Sequence, residues 1–332
     1  MPDLSTKYMG IDLKHPIVAS ASPLSRTIDG IRALEDAGAA AVVLYSLFEE
    51  QVALESGELA QLLSDGSLSL ADASEYFPQQ HDYPRDPDAY VEHVRQAKDA
   101  VDIPIIASMN GISKGGWLDY AEKIAEAGAD GLELNIYFIP ATDTLLGMDI
   151  ENIYLDIVGS VKEKVDIPVA VKLSPFFSAI PDMATRIDEA GADALVLFNR
   201  FYQPDLDVRK KAVLPTLSLS RPEDILLPLR WTAILYGQVE CSLALTSGVH
   251  SGEAVIKAIM AGADVAMVCS VLLKQGVEAM GDLISEVEEL LEELDFQSTN
   301  ELRGAMSMEK YIEPTVFERT SYIKLLQSYG RI

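Results

Sequence analysis

Positive charge is the first thing this sequence is short of. Its 332 residues carry 26 Lys and Arg against 52 Asp and Glu, a formal net charge of −26 at pH 7. A surface of that sign repels phosphate backbones and anionic lipid headgroups, which argues against nucleic acid and membrane as partners. Cysteine is scarcer still. The 2 present, Cys241 and Cys269, lack C-x-x-C spacing, so no zinc or iron–sulfur centre is expected. No apolar run approaches the ~20 residues that a spanning helix requires. The opening MPDLSTKYMG has neither the basic nor the apolar part of a secretory signal. These absences leave a reduced, cytoplasmic protein as the expectation. Core-forming material is abundant, with 48% hydrophobic residues beside 23% charged, the balance of a globular chain.

A repeat runs through that material. AGAAAVVL begins at Ala37, AGADGLEL at Ala127, AGADALVL at Ala190 and AGADVAMV at Ala261. A second phrase, VDIP, enters the apolar runs after Val101 and Val165. A glycine after an amphipathic segment suits a left-handed helix cap, and the short β-rich run that follows suits a buried strand. Strands are predicted at 17–20, 41–44, 104–108, 131–135, 168–172, 194–198, 242–246 and 265–268. Helices are predicted at 29–37, 89–100, 117–127, 150–164, 181–190, 223–235, 251–261 and 277–294. Eight strand–helix units in this order predict a (β/α)₈ TIM barrel, with a doubly wound open sheet as the alternative.

Two regions exceed the repeat. Residues 49–84 contain no Lys or Arg and hold the phrase EYFPQQHDYP. A long βα insertion on a barrel lies at the catalytic mouth, so this segment reads as an acidic lid or as an acidic surface loop. Residues 296–332 read as a C-terminal extension packing on the barrel or on another subunit.

Barrel chemistry collects at the C-terminal ends of the strands. Those ends carry Ser20, Tyr45 with Ser46, Ser108 with Asn110, Asn135, Lys172, Asn199, Ser247 with Gly248, and Cys269 with Ser270. Lys172 closes the apolar strand VAVK, and an amine in that position calls for an anionic partner. TSGVHSGEA and VCSVLLKQG place small residues at two successive strand ends before helices, the usual barrel site for a phosphate. Phosphate at one side and Lys plus Asn at the other describe a flavin mononucleotide.

With these residues in view, the sequence resembles the soluble dihydroorotate dehydrogenases. The likeness rests on PIVASASPLS, ELN, VKLSPFF, the TSGVHSGEA…GADVAMV pair and FQSTNELRG, in that order along the chain. The resemblance implies an FMN-binding barrel over residues 1–295, with 296–332 as a tail. It implies oxidation of dihydroorotate to orotate in pyrimidine synthesis, and a homo-oligomer. Ala19 and Ser20 would lie along the flavin, with Tyr45 and Asn110 in the same shell. Asn135 would bond the ring and substrate, and Lys172 would stand by N1 and O2. Asn199 would close the ring site, and Ser247, Gly248, Cys269 and Ser270 would hold the phosphate.

The family carries a Cys or Ser after the asparagine, which removes a proton while hydride leaves for the flavin. In NIYFIPA that position is Phe138, preceded by Tyr137. Phenylalanine accepts no proton, and a phenol of pKa ~10 is a poor base near neutrality. Tyr137 is the catalytic candidate beside it, with Tyr45 or a residue of 49–84 as alternative bases, and slow turnover of dihydroorotate, if any, is expected. Tyr45 stands where the family has a lysine. The alternatives are a flavoenzyme with another small-molecule substrate or a protein electron carrier, and a non-flavin phosphate-binding lyase, isomerase or non-catalytic subunit.

Overall fold

The Ala-Gly-Ala-Asp phrase closes one strand–helix unit and ties it to the next in the computed structural model. The structure describes residues 2–318 apart from 57–85, 114, 116–117, 201–202 and 215, together with 322–323 and 326–327. The chain opens with a hairpin of β1 (Thr6–Tyr8) and β2 (Ile11–Leu13). It continues through β3 (Ile17–Ala19), α1 (Ile28–Asp36), β4 (Val42–Phe48) and α2 (Glu49–Ser56). Next come α3 (Pro87–Ala100), β5 (Ile105–Asn110), α4 (Asp119–Glu126), β6 (Gly131–Asn135) and α5 (Gly147–Lys162). Then follow β7 (Val169–Leu173), α6 (Ile180–Glu189) and β8 (Ala194–Leu197). A second hairpin, β9 (Asp205–Asp207) with β10 (Ala212–Leu214), precedes α7 (Leu226–Leu235). The final units are β11 (Ser242–Thr246), α8 (Gly252–Ala261), β12 (Val265–Val268), α9 (Ser270–Gln275), α10 (Ala279–Glu293) and α11 (Thr299–Leu302). Strands β3 to β8 with β11 and β12 form one closed parallel barrel. The eight predicted strands are these eight.

Each helix that precedes a repeat ends on a glycine of positive φ, 105° at Gly38, 93° at Gly128, 98° at Gly191 and 120° at Gly262. That conformation costs an L side chain but not glycine. After three of these glycines the aspartate two residues on accepts an amide at the start of the neighbouring strand. Asp130 takes Ile105 N–H at 2.7 Å, Asp193 takes Val169 N–H at 2.7 Å and Asp264 takes Leu243 N–H at 2.8 Å. Cations back all three, Lys98 at 2.6 Å, Lys162 at 2.7 Å, and Arg303 on Asp264. The repeat is thus a set of latches at the N-terminal end of the barrel.

Alternation along each strand separates two cores. Val18, Val43, Ile106, Val196 and Met267 point inward and meet Tyr8, Met9 and Leu13 of the first hairpin, which plugs the barrel floor. Their neighbours Ile17, Val42, Ile105 and Leu195 point outward to the helices. Strand β4 outruns its predicted window by four residues, with a register irregularity between Val43 and Ser46. It runs directly into α2, where the buried Glu49 accepts the amides of Ile112 and Ser113 at 2.7 and 3.3 Å. Most of the acidic insertion expected over 49–84 lies outside the described residues. After α10 the chain folds back over the barrel: Gly304 N–H bonds Ile259 O at 3.0 Å and Met306 N–H bonds Met260 O at 2.8 Å.

Candidate active site

Strand register sets the geometry of the barrel mouth. Asn110 on β5 pairs with Asn135 on β6, and Asn135 pairs with Lys172 on β7. Three polar side chains therefore stand in one row across adjacent strands. One layer below, Ser46 pairs with Ser108 and Ser108 with Glu133. Two positions apart on a strand means the same face, so both rows line the same inner wall. Asn199, just past β8, extends the upper row by donating from Nδ2 to Asn135 Oδ1 at 2.6 Å. In the lower row Ser46 Oγ and Ser108 Oγ lie 2.8 Å apart.

The anionic partner that Lys172 requires is Glu133, which lies inside its strand rather than at the polar end. Lys172 Nζ donates to Glu133 Oε1 at 3.1 Å, with 9% and 1% of their side chains exposed. The signal was present in GLELN, because an inward Asn135 dictates that the residue two earlier also faces in. Lys172 reaches across the mouth as well. Burial pushes the Cys269 thiol pKa up, and the positive charge of Lys172 opposes that rise. Ser20 is buried at the end of β3, and its amide donates to Val268 O at 2.9 Å.

Two residues of the expected flavin shell face elsewhere. Tyr45 lies within β4 rather than at its end, and packs outward on α3. Its ring centroid sits 5.2 Å from that of Tyr90 and 5.4 Å from that of His93. The extra length of β4 and the irregularity before Ser46 place Ser46, not Tyr45, on the inner wall. Ala19 likewise belongs with the outward core beside Ile17, so only its backbone faces the mouth.

The two loops after β11 and β12 lie next to each other and are covered by the turn that enters α7. Ser247 and Gly248 hold positive φ of 78° and 77°. A Cβ on Gly248 would meet Ile225 N at 2.2 Å, so glycine lets the turn close over the loop. Ser270 Oγ accepts Ser220 N–H at 2.9 Å, and Lys274 Nζ donates to Ser220 O at 2.7 Å. His250 Nε2 lies 3.1 Å from Ser220 Oγ. Burial first, then the nearby Lys274, lower the pKa of this imidazole. Sequence reasoning did not single out Ser220, His250 or Lys274, which meet only through this turn.

Beyond β6, Tyr137 and Phe138 are half-buried. Phe138 lines a cavity of about 410 Å³ with Ile139, Tyr154, Phe176 and Phe177. A larger cavity, about 730 Å³, adjoins it through Phe176 and Gln203 and reaches Asn199, Thr246 and Ser247. Its cation, Arg200, is held by Asp224 Oδ2 at 2.8 Å and Ser218 O at 2.6 Å. Among the described residues no cluster of His, Cys, Asp and Glu is placed to hold a metal ion. No helix among them is long and apolar enough to cross a membrane.

Residues 86–291, more than half of the chain, match the family model described as dihydroorotate dehydrogenase. Similar proteins include the dihydroorotate dehydrogenase B (NAD(+)) catalytic subunit of Thermoplasma acidophilum, 26% identical over 92% of this chain and 99% of that protein. The protein of the same name from Methanothermobacter thermautotrophicus is 25% identical over 91% of this chain and 97% of its own length. A putative dihydroorotate dehydrogenase A (fumarate) of Aeropyrum pernix is 28% identical over 63% of this chain and 69% of that protein.

Proposed function

This chain belongs to the dihydroorotate dehydrogenase family, and from that premise we propose that it is an FMN-dependent oxidoreductase acting on a CH–CH bond. The observation that carries the reading is the row Asn110–Asn135–Lys172 over the buried Glu133. An ammonium has three N–H donors, and among the described residues Lys172 spends one, on Glu133. Its remaining donors suit the N1 and O2 acceptors of an isoalloxazine ring. Asn135 Oδ1 is taken by Asn199, which leaves its amide N–H groups for a ligand. The phosphate would lie at Ser247, Gly248, Cys269 and Ser270, held by backbone amides and the first, intrahelically unpaired N–H groups of α9. Lys274 and His250 stand beside that position as counter-charge and donor.

Bound FMN would supply the hydride acceptor, and the small-molecule substrate would be dihydroorotate, converted to orotate. This chain's own contribution is to orient the ring through Asn135 and to offset its developing negative charge through Lys172. The loop after β6 contributes Phe138, which takes no proton, so Tyr137 is the acceptor nearest the family's position and turnover is slow. The relatives named as catalytic subunits support a protein partner that accepts the electrons, and the reading includes a homo-oligomer.

The test is the absorption spectrum of the purified protein, followed by anaerobic addition of dihydroorotate. One flavin per chain that bleaches slowly supports the reading. A colourless protein that fails to take up FMN overturns it, in favour of a non-flavin barrel. Fast bleaching keeps the flavin but shows that a competent base is present.

A further inference from the structure

We propose that Glu133 is a positioning residue of this site: it holds the Lys172 ammonium under the ring position and sets how much positive charge a bound flavin feels. The role rests on the flavin reading above, but the pair itself is a fact of the fold. Glu133 is 1% exposed and sits mid-strand on β6, facing the barrel interior. Its Oε1 accepts from Lys172, while its Oε2 is buried without a hydrogen-bond partner among the described residues. Taking a carboxylate so placed out of water is costly, and apolar replacements of such pairs are often neutral or stabilising. Packing alone therefore gives no reason for a charged residue at this position.

The geometry supplies one. Lys172 sits in the upper row and Glu133 one layer below on the neighbouring strand, so the contact is diagonal and pulls the ammonium down toward the wall. A lysine rides on a flexible four-carbon stem with many rotamers, and one carboxylate beneath it restricts that freedom. The same carboxylate cancels much of the lysine's charge as seen from the mouth. A paired Lys172 stabilises a reduced, anionic ring less than a bare one would. The Tyr8 hydroxyl, rising from the barrel floor, registers this carboxylate too. Burial chiefly, and then the charge of Glu133, push its pKa well up.

The experiment compares four holoproteins: unmodified, Glu133→Gln, Lys172→Met and the double variant. Flavin midpoint potential is read by anaerobic dye titration, and thermal unfolding is read on the same samples. Glu133→Gln should raise the potential and Lys172→Met should lower it. In the Lys172→Met background Glu133→Gln should raise the potential less, because only the direct field of the carboxylate is then removed and the part that acts through the position of the lysine is gone. Each single variant should unfold at a lower temperature than the double, since each leaves one buried charge unpaired. Glu133→Asp, which keeps the charge but withdraws it, should give an intermediate potential, and serves where Glu133→Gln does not fold. A potential unmoved by Glu133→Gln, or moved equally in both backgrounds, overturns the role of Glu133. Unmodified protein that binds no flavin overturns the functional reading and this role with it. The unfolding measurements then still show whether the pair is coupled.

Discussion

At the N-terminal end of the barrel Asp130, Asp193 and Asp264 perform one task three times, each accepting an amide at the start of a neighbouring strand. At the C-terminal end Asn110, Asn135, Lys172, Glu133 and Ser108 each occupy a distinct place in two rows of one wall. The floor repeats because every strand–helix unit has the same problem to solve there. The unit must end a helix, reverse, and satisfy the amide of an entering strand. The mouth does not repeat, because a ligand presents different atoms to different strands. Repetition here marks what stabilises the fold, and departure from it marks where chemistry is placed.

That contrast can be broken at the mouth with the largest expected effect. A positioned base typically contributes about 10²–10⁴-fold to a proton abstraction, and Phe138 contributes none. Phe138→Cys should raise the rate of flavin reduction by dihydroorotate by about 10²-fold while leaving the unfolding temperature nearly unchanged. Stopped-flow reduction decides it, and an unchanged rate would mean that Phe138 does not face the reacting carbon.

At the floor a change should act on stability and leave the mouth alone. His15 is buried, its Nδ1 accepting Ile17 N–H at 3.2 Å and its Nε2 donating to Gly38 O at 2.7 Å. Protonation would set two N–H groups against each other, and burial lowers the pKa from 6.5 to about 4. The folded-state pKa lies below the unfolded one. The contribution is therefore fully present above pH 6.5 and is lost as pH falls toward 4. A shift of this size corresponds to about 3 kcal/mol. Urea unfolding of the unmodified protein should lose that much more between pH 7 and pH 4 than His15→Gln does. Parallel losses in the two proteins would show that other groups govern the acid limb.

The smallest effect sharpens the same contrast. Asp130→Ala removes the acceptor of Ile105 N–H and the partner of Lys98. It should cost about 2 kcal/mol, the order of one unsatisfied buried amide. Flavin content and potential should stay as they are. A change in potential would show that the two ends of the barrel are coupled.

Much of the floor was legible in the chain. Gly38, Gly128, Gly191 and Gly262 announced the helix ends, and the apolar runs after them announced the strands, because both are local consequences of backbone conformation. Asn135 and Lys172 were legible at the mouth for the same reason, being polar ends of apolar runs. Tyr45 was misplaced because strand length and a register irregularity are decided by pairing with β5, which no local pattern records. The first hairpin also escaped, since its three-residue strands form only where the barrel floor needs a plug.

Composition and local periodicity, which act within one helix turn or one strand, determined by themselves the eight units, their order and the ends where polar groups gather. Only the closed barrel decided which of those groups meet. Lys172 finds Glu133, Asn199 finds Asn135 and Ser220 finds Ser270, at separations of 39, 64 and 50 residues. Contacts at that distance along the chain depend on strand register and on the closing of the sheet. Neither exists until the whole barrel has formed.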